Sequence, residues 1–338
     1  MTNQQTDKNL TVGDIGEQGI LNEILPLLDA KDAGLGPGDD AGALRVSGGE
    51  VVVSVDTIVQ DQDFRLVWPS GHEHKAYDIG WKSIAQNVSD INAMGGVSTG
   101  AVVSLSMPSD VSLSWVKEFA EGIAGAISSL GAARLAILGG DLSRSSEISV
   151  TTTVLGECEH GKVLRTGATP GDRLAVAGRI GAAGAGLALL DARHDSTSWN
   201  RAVIRLVDAQ CKPVPPLESG PRAAQAGAHA MLDISDGLVR DAGRLAKASR
   251  VSIELDKAAL EVFAQRLEPA ANLLKTDPMQ WVLHGGEDFG LLASFPADTE
   301  IPEEFTVIGK VVRTAGRRST IRMDGKQLDY RNAFDHFG

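Results

Sequence analysis

The sequence predicts a protein of mixed α/β (α+β) class that folds as two domains. Its 338 residues are enough for two hydrophobic cores. Short valine-rich segments with period-two alternation are interspersed with longer segments of helical periodicity in both halves of the chain. Segment 165–172, Arg-Thr-Gly-Ala-Thr-Pro-Gly-Asp, has the turn chemistry of a linker. We therefore expect a disordered tail over 1–15, an N-terminal domain over 16–160 and a C-terminal domain over 165–338.

The elements of the N-terminal half follow from side-chain periodicity. Residues 50–57 predict a strand in which Ser54 and Asp56 share one face, because successive side chains of a strand point to opposite sides. Residues 72–94 predict a long helix with a polar stripe that includes Asp90. The other predicted elements of this half are helices over 16–28 and 113–130 and strands over 101–106, 134–138 and 147–156.

The C-terminal half repeats the alternation of strands and helices. A strand over 173–176 leads into a Gly- and Ala-rich helix after Gly178, and such small residues favour close packing of a helix on a sheet. A strand that ends at Asp233 is followed by a helix over 236–248. The other predicted elements of this half are a strand over 251–255, helices up to His284, and strands near 289–293 and 306–311.

Composition and charge restrict the partners. The chain is 43% apolar and 22% charged, which is typical of a globular protein. Its net charge of -12 argues against nucleic acid or an anionic membrane as a partner, because both bind basic surfaces. No apolar run approaches the roughly 18 residues of a membrane-spanning helix, and the first residues lack a signal-peptide core. We therefore expect a cytoplasmic protein that binds neither nucleic acid nor membrane.

Aspartates in Gly-, Ser- or Asn-containing segments are the main functional signal. Glycine lets the backbone turn sharply and approach a ligand, while short carboxylates bind hard cations through oxygen. Each motif alone is also compatible with a surface turn, a strand end or a helix N-cap. Together they predict one Mg²⁺-rich pocket that holds a nucleotide polyphosphate. The motifs are Gly-Asp-Asp-Ala-Gly at 38–42, Ser-Val-Asp at 54–56, Asn-Val-Ser-Asp at 87–90, Gly-Gly-Asp at 139–141, Asp-Ile-Ser-Asp-Gly at 233–237 and His-Gly-Gly-Glu-Asp-Phe at 284–289.

The scarcity of histidine in these motifs favours phosphoryl transfer. His284, at the edge of the last motif, is the one histidine that they contain. Phosphoryl transfer depends on positioning and charge neutralisation, and it needs no base when the acceptor is already ionised. A phosphomonoester acceptor, with a second pKa of about 6, largely meets that condition at neutral pH.

In this order, the motifs closely resemble those of the thiamine-monophosphate kinase family, within the superfamily that contains aminoimidazole ribonucleotide synthetase. The likeness extends from about Gly16 to Phe337 and includes the ending Phe-Asp-His-Phe at 334–337. It implies ATP-dependent phosphorylation of thiamine monophosphate to thiamine diphosphate, by direct in-line transfer without a phosphoenzyme. It also implies a homodimer whose N-terminal sheets form a shared barrel, with ATP between the two domains and several Mg²⁺ ions bridging its phosphates to carboxylates.

The resemblance also implies roles for individual positions, with no catalytic residue separate from the metal site. Asp63, Glu287 and Phe334 match positions near the thiamine moiety, where the acids could face the cationic thiazolium and Phe334 could stack on a ring. Asp39 could replace Asp40 as a ligand, since the two are adjacent. The implied metal ligands are Asp40, Ser54, Asp56, Asp90, Asp141, Asp233 and Asp236, and the implied ATP contacts are Gly140, Asp141, Arg165 and Ser235.

The chain departs from the family pattern at four positions. Val55 stands where threonine is common, Asp63 where histidine is frequent, His284 where serine is usual, and Asn92 where a small apolar residue is usual. A metal contact at Val55 would have to come from its carbonyl group. None of these departures removes a carboxylate from the implied metal set.

Two other classes of function remain open at this point. One is another ATP-dependent enzyme of the superfamily, such as a ring-closing purine-pathway synthetase. A selenophosphate synthetase would need a reactive Cys or selenocysteine near the N-terminus, and this chain has no cysteine before Cys158. The other is a non-catalytic nucleotide-binding homologue, which would bind ATP without releasing ADP when thiamine monophosphate is added.

Overall fold

The computed structural model describes most of the chain as two compact units. The predicted tail, except Thr11, lies outside the described residues, and so do Asp39, Asp40 and Phe334. The described residues are 11, 19–20, 22–27, 51–316 and 318–329. The first unit takes in residues up to Trp68, His72–Ile91 and Val97–Glu157, and the second takes in Pro69–Gly71, Asn92–Gly96 and residues from Cys158 onward.

The described part of the first unit contains a four-stranded mixed sheet. The sheet order is β1-β4-β2-β3, in which β2 and β3 are parallel and the other neighbours are antiparallel. Its strands are β1 (Val52–Val59), β2 (Val97–Met107), β3 (Ala136–Arg144) and β4 (Ser149–Glu157). The helices are α1 (Ala76–Ala93) and α2 (Leu113–Ser129), preceded by helical residues at 19–20 and 22–24 and the 3-10 turn Leu25–Leu27.

The two faces of this sheet differ in burial. Ile58 of β1, Val150 of β4 and Leu105 of β2 are direct cross-strand partners, and all are buried. We call the side on which they lie the helix face, because the same side of β1 contacts α1. On the opposite side, Val53 and Val55 are 59% and 57% exposed. We call this second side, with Thr57 and its cross-strand partners, the open face.

Helix α2 shows how local sequence fixes an element boundary. The hydroxyl of Ser112 accepts a hydrogen bond from the backbone amide of Trp115 and so caps the first turn. Val116, Phe119 and Ile123 then follow at helical spacing and are buried. Within the described residues, the helices are all too short or too polar to cross a bilayer.

The second unit contains a larger mixed sheet with helices between its strands. The seven described strands run in the order β11-β10-β7-β9-β5-β8-β6, and β7 and β10 are its parallel pair. The strands are β5 (Arg173–Ala177), β6 (Ala230–Ile234), β7 (Ser252–Leu255), β8 (Gly290–Phe295), β9 (Phe305–Val312), β10 (Ile321–Met323) and β11 (Lys326–Gln327). The helices are α3 (Ala182–Asp191), α4 (Arg201–Cys211), α5 (Ser219–Gln225), α6 (Leu238–Ser249), α7 (Lys257–Arg266), α8 (Glu268–Leu274) and α9 (Pro278–His284).

The predicted fold class is confirmed, with one local correction. The predicted strand over 134–138 in fact continues to Arg144, so Gly140 and Asp141 belong to β3 and not to a turn. A Cβ atom at Gly140 would overlap with the carbonyl oxygen of Val103 on β2. Gly140 therefore allows the close approach of β3 to β2 near a register shift. The strand end was predicted too early because a pair of glycines is also typical of a turn. Helices α4 and α5 and strands β10 and β11 were not among the predicted elements.

Candidate functional site

Strand β1 and helix α1 bring three of the implied metal ligands together. The hydroxyl of Ser54 donates a hydrogen bond to the Asp90 carboxylate. The backbone amide of Asp56 donates to Asn87 Oδ1 at 3.1 Å, and Asn87 Nδ2 donates to the carbonyl of Ser83 at 2.9 Å. Asn87 is fully buried, so it fixes β1 against α1. We call Ser54, Asp56 and Asp90 the β1–α1 cluster.

The electrostatics of the β1–α1 cluster suit a hard cation. Burial raises the pKa of Asp56, hydrogen bonding to Asp90 opposes this rise, and the charge of Asp63 adds to it. Two neighbouring carboxylates repel each other when both are ionised, and a cation relieves that repulsion. The donor set of one hydroxyl and two carboxylates consists entirely of oxygen, which fits Mg²⁺.

Asp63 lies beside this cluster on a turn held by α1. One oxygen of its carboxylate accepts a hydrogen bond from the backbone amide of Val59 at 2.8 Å. Lys82 Nζ donates to the backbone carbonyl of Asp63 at 3.3 Å, and Lys82 is only 1% exposed. A buried lysine thus anchors the segment that carries Asp63, whose charge acts on the pKa of Asp56.

Asp141 is not brought together with the β1–α1 cluster of its own chain. It pairs with Ser104 of β2, which pairs with Thr151 of β4, which in turn pairs with Thr57 of β1. The hydroxyls of Thr57 and Thr151 are 2.8 Å apart, so this row lies on one side of the sheet. Because side chains alternate along β1, that side is the open face, and the β1–α1 cluster lies on the helix face.

In the second unit, the motif loops 233–237 and 284–289 pack directly on each other. The backbone amide of Glu287 donates to the carbonyl of Ser235 at 2.7 Å, and that of Phe289 donates to Ile234 at 3.0 Å. A Cβ atom at Gly286 would lie 2.7 Å from the same Ser235 carbonyl oxygen, so glycine is needed for this contact. The implied ATP contact Ser235 and the implied substrate contact Glu287 therefore lie side by side.

The first of these loops is not merely a helix cap. Helix α6 begins at Leu238 with Gly237 in the N-cap position and no side-chain capping bond, so neither Ser235 nor Asp236 caps it. Asp233 occupies β6 and is 9% exposed. The polar side chains of the motif are thus available for a role other than helix initiation.

Asp236 is held in place by an ion-pair network on α6. Arg244 donates to the carboxylates of both Asp236 and Asp241, the latter at 2.8 Å. Asp241 is fully buried and accepts a hydrogen bond from the backbone amide of Asp236 at 2.9 Å. Burial raises the pKa of Asp241 to about 6, against the opposing hydrogen bonds. Both the backbone and the side chain of Asp236 are therefore positioned by residues of α6.

Asp288 holds the 284–289 loop against the N-terminus of α3. Its carboxylate accepts hydrogen bonds from the backbone amides of Gly181 and Ala183, the latter at 2.9 Å, at the N-terminus of α3. It is 6% exposed, and burial raises its pKa to about 7. Glu287 and Phe289, on either side, have positive φ angles of 62° and 50°. Asp288 thus stabilises a backbone conformation that non-glycine residues rarely adopt.

Arg165 follows a segment that runs along β6. The carbonyl of Leu164 accepts a hydrogen bond from Met231 of β6 at 3.0 Å. The carbonyl of Arg165 itself accepts one from the hydroxyl of Ser249 at 3.2 Å, and its side chain is exposed. The backbone of Arg165 is therefore fixed at the strand that ends in the 233–237 loop.

Sequence reasoning missed three polar residues that support these loops: Asp241, Asp288 and Gln210. Gln210 is 2% exposed on α4 and donates a hydrogen bond to Glu287. Helix α4 was detectable, because Asn200 caps its first turn and apolar residues recur at 203, 206 and 207. Asp288 belongs to the 284–289 motif, but nothing in that motif indicates that its side chain is buried against α3.

Comparison with known proteins identifies the family of this chain. The model of AIR synthase related protein, N-terminal domain, matches residues 38–158, and that of its C-terminal domain matches residues 169–321. The chain is 37% identical over 308 residues to thiamine-monophosphate kinase of Mycobacterium tuberculosis (strain H37Rv), covering 90% of this chain and 86% of that relative. The chain belongs to the thiamine-monophosphate kinase family.

Other members of the thiamine-monophosphate kinase family extend the comparison. The Bacillus subtilis (strain 168) relative is 34% identical over 281 residues, covering 81% of this chain and 82% of its own. The solved structure of AaThiL complexed with AMPPCP and TMP matches with a TM-score of 0.73 and 28% identity, over 94% of this chain and 96% of that one. The family membership expected from the motifs is therefore confirmed.

Proposed function

We propose that this protein transfers the γ-phosphate of ATP to thiamine monophosphate and so forms thiamine diphosphate and ADP. The observation that carries this proposal is the convergence of Ser54, Asp56 and Asp90 into one oxygen-only donor set. The Mycobacterium tuberculosis and Bacillus subtilis relatives, both named thiamine-monophosphate kinase, and the complex of AaThiL with AMPPCP and TMP support the choice of substrates. We place the reaction in the cytoplasm, where ATP is available.

The proposed chemistry is direct in-line displacement. A phosphate oxygen of thiamine monophosphate forms a bond to the γ-phosphorus as the bond from that phosphorus to the β-phosphate oxygen breaks, and ADP leaves. The acceptor phosphate is largely ionised at neutral pH, with a second pKa of about 6, so no protein base is required. Bound Mg²⁺ ions would neutralise charge on the phosphates, a contribution of several kcal/mol.

The protein's own groups hold the reactants. We propose Ser54, Asp56, Asp90, Asp141, Asp233 and Asp236 as ligands of the Mg²⁺ ions, together with Asp40, which lies outside the described residues. The proposed ATP contacts are Gly140, Asp141, Arg165 and Ser235. Asp63 and Glu287 would face the cationic thiazolium, because Asp63 is an acid beside the proposed metal ligand Asp56 and Glu287 is an acid beside the proposed ATP contact Ser235. Phe334, also outside the described residues, would stack on a ring.

The test is an assay with purified protein, MgATP and thiamine monophosphate. We expect thiamine diphosphate and ADP in equal amounts, and no ADP when thiamine monophosphate is omitted. Turnover of formylglycinamidine ribonucleotide in place of thiamine monophosphate would instead identify a ring-closing synthetase. ATP binding without ADP release under all of these conditions would identify a non-catalytic homologue.

We further propose a homodimer formed through the open face of the first unit. Val53, Val55 and Val102 are 59%, 57% and 40% exposed on this face. Adjacent exposed valines on a sheet are typical of a surface that another chain covers. Asp141 lies on the same face, so a second copy seated there would also enclose the Asp141 carboxylate.

Placing charge on the open face is expected to dissociate this dimer. In the double variant Val53→Lys, Val55→Lys, two ammonium groups would lose water on association, so dimerisation should weaken by about 100-fold or more. Sedimentation velocity over a range of concentrations measures this change. Val307→Lys, at an exposed strand valine of the second unit, is the matched control and should stay dimeric. A monomeric wild-type chain, or an unchanged double variant, would contradict the proposed interface.

A further inference from the structure

The backbone of Glu287 is anchored on both sides. Its amide donates to the carbonyl of Ser235 at 2.7 Å, and its φ angle of 62° lies in the left-handed region. The next residue, Asp288, is held by the amides of Gly181 and Ala183 at the start of α3. Because the backbone is fixed at these points, the direction in which the Glu287 side chain leaves it is fixed too.

A buried amide then orients the end of that side chain. Gln210, in the last turn of α4, donates from Nε2 to the Oε2 atom of Glu287. The reverse orientation of the amide would set its oxygen against a carboxylate oxygen, so the carboxylate determines the orientation. Gln210 Oε1 is buried and has no hydrogen-bond partner among the described residues. An unmatched buried acceptor is unfavourable, so Gln210 does not contribute to stability alone, and its donor group is the part that makes a contact.

Helix α3 supports both contacts. A Cβ atom at Gly186 would overlap with the carbonyl oxygen of Leu206 and lie 3.0 Å from the Cβ of Gln210. Glycine at this position therefore lets α4 pack directly on α3. Since α3 also holds Asp288 at its N-terminus, one helix fixes the backbone beside Glu287 and, through Gln210, its carboxylate.

We infer that Gln210 is a positioning residue that aims the Glu287 carboxylate at the cationic ring of the phosphate-bearing substrate. The inference rests on the proposed function. It adds that Gln210 affects the binding of thiamine monophosphate and not the binding of ATP. An amide is neutral, so it orients the carboxylate without cancelling its charge. A lysine or arginine at this position would orient it equally well but would neutralise the charge that attracts a cation.

Removing the amide donor tests this inference. Gln210→Met has a similar volume but no donor, so the Kd and KM for thiamine monophosphate should rise about tenfold, the usual effect of losing a hydrogen bond to a charged group. The KM for ATP and the kcat should change less than twofold. Isothermal titration calorimetry with thiamine monophosphate and steady-state kinetics measure these quantities.

Gln210→Glu adds a readout that a purely structural role would not change. An ionised carboxylate accepts hydrogen bonds and cannot donate one, so this variant keeps the size of glutamine, loses the donor and repels the Glu287 carboxylate. The Kd for thiamine monophosphate should therefore rise about tenfold or more, while the KM for ATP changes less than twofold.

The matched control is Val203→Ala, which removes a buried side chain from the same helix. It should lower the melting temperature while the Kd for thiamine monophosphate stays within twofold of wild type. An unchanged Kd in folded Gln210→Met, or an equal rise in the KM for ATP, would overturn the inference. If wild type binds thiamine monophosphate but forms no thiamine diphosphate, the proposed function fails while the binding comparison still decides the role of Gln210.

Discussion

The variants Asp236→Asn and Asp90→Asn are each expected to lose turnover by about 1,000-fold or more, which corresponds to about 4 kcal/mol of transition-state stabilisation. Asparagine keeps the shape of aspartate and removes the charge that a cation needs. Asp90 shares its cluster with Asp56, and Asp236 is held by Arg244 and by its backbone bond to Asp241. Measurement of kcat at saturating ATP and thiamine monophosphate decides the outcome.

Both variants should remain folded. The Asp236 side chain is 22% exposed, and Arg244 keeps its second partner, Asp241, so no buried charge is left alone. Circular dichroism and thermal melting check this expectation. The control is Asp208→Asn, which should keep full activity. Asp208 is a half-exposed residue of α4 whose side chain pairs with Lys212. Full turnover in both Asp90→Asn and Asp236→Asn would exclude these residues as metal ligands.

Asp288→Asn is expected to lower the free energy of unfolding by about 2 kcal/mol at pH 5, because it leaves a buried helix amide without an acceptor. The two oxygens of the Asp288 carboxyl group accept hydrogen bonds from the amides of Gly181 and Ala183, one each, at the start of α3. The amide that replaces it has only one oxygen, so one of these donors faces an NH₂ group. Urea unfolding measured by tryptophan fluorescence gives the difference between variant and wild type.

The effect of Asp288→Asn should also depend on pH. Burial is the main cause that raises the pKa of Asp288 from 3.8 to about 7. Between these values the folded protein holds a proton that the unfolded chain has lost, so this group makes wild type less stable as pH rises, and the effect levels off above about 7. Asparagine does not titrate. The destabilisation caused by the variant should therefore be larger at pH 5 than at pH 8.

Asp195→Asn provides the comparison for this pH effect. Asp195 is fully exposed and accepts a hydrogen bond from the amide of Thr197, which holds its pKa below the ordinary value. It is therefore ionised at both pH 5 and pH 8, and the effect of its replacement should be the same at both. An Asp288→Asn effect that is equal or larger at pH 8 would show that Asp288 is ionised in the folded protein.

Local periodicity was enough to predict much of the first unit. The alternation over 50–57 placed Ser54 and Asp56 on the same side of β1, and the helical stripe that includes Asp90 proved to face them. Both inferences depend only on the geometry of one strand and one helix. The contact between them required the pairing of β1 with α1, which Asn87 makes through the backbone of Asp56.

Asp141 shows the limit of that reasoning. Its motif is typical of a glycine turn, yet it lies within β3 on the open face, and Gly140 allows the close approach of β3 to β2. Which side of a sheet a residue faces depends on its register against strands far away in sequence. A single residue of shift would have put Asp141 on the helix face.

The sequence by itself determined the α/β class, most of the element order and the residue types of the candidate site, because strand and helix periods and metal-binding chemistry are local properties. Only the tertiary structure decided that Gln210 and Asp288 support Glu287 and that the 233–237 and 284–289 loops meet. These contacts join residues that are far apart along the chain. Packing determines which of these residues meet; Gly186, for example, lets α4 lie directly on α3. Such packing exists only in the folded unit.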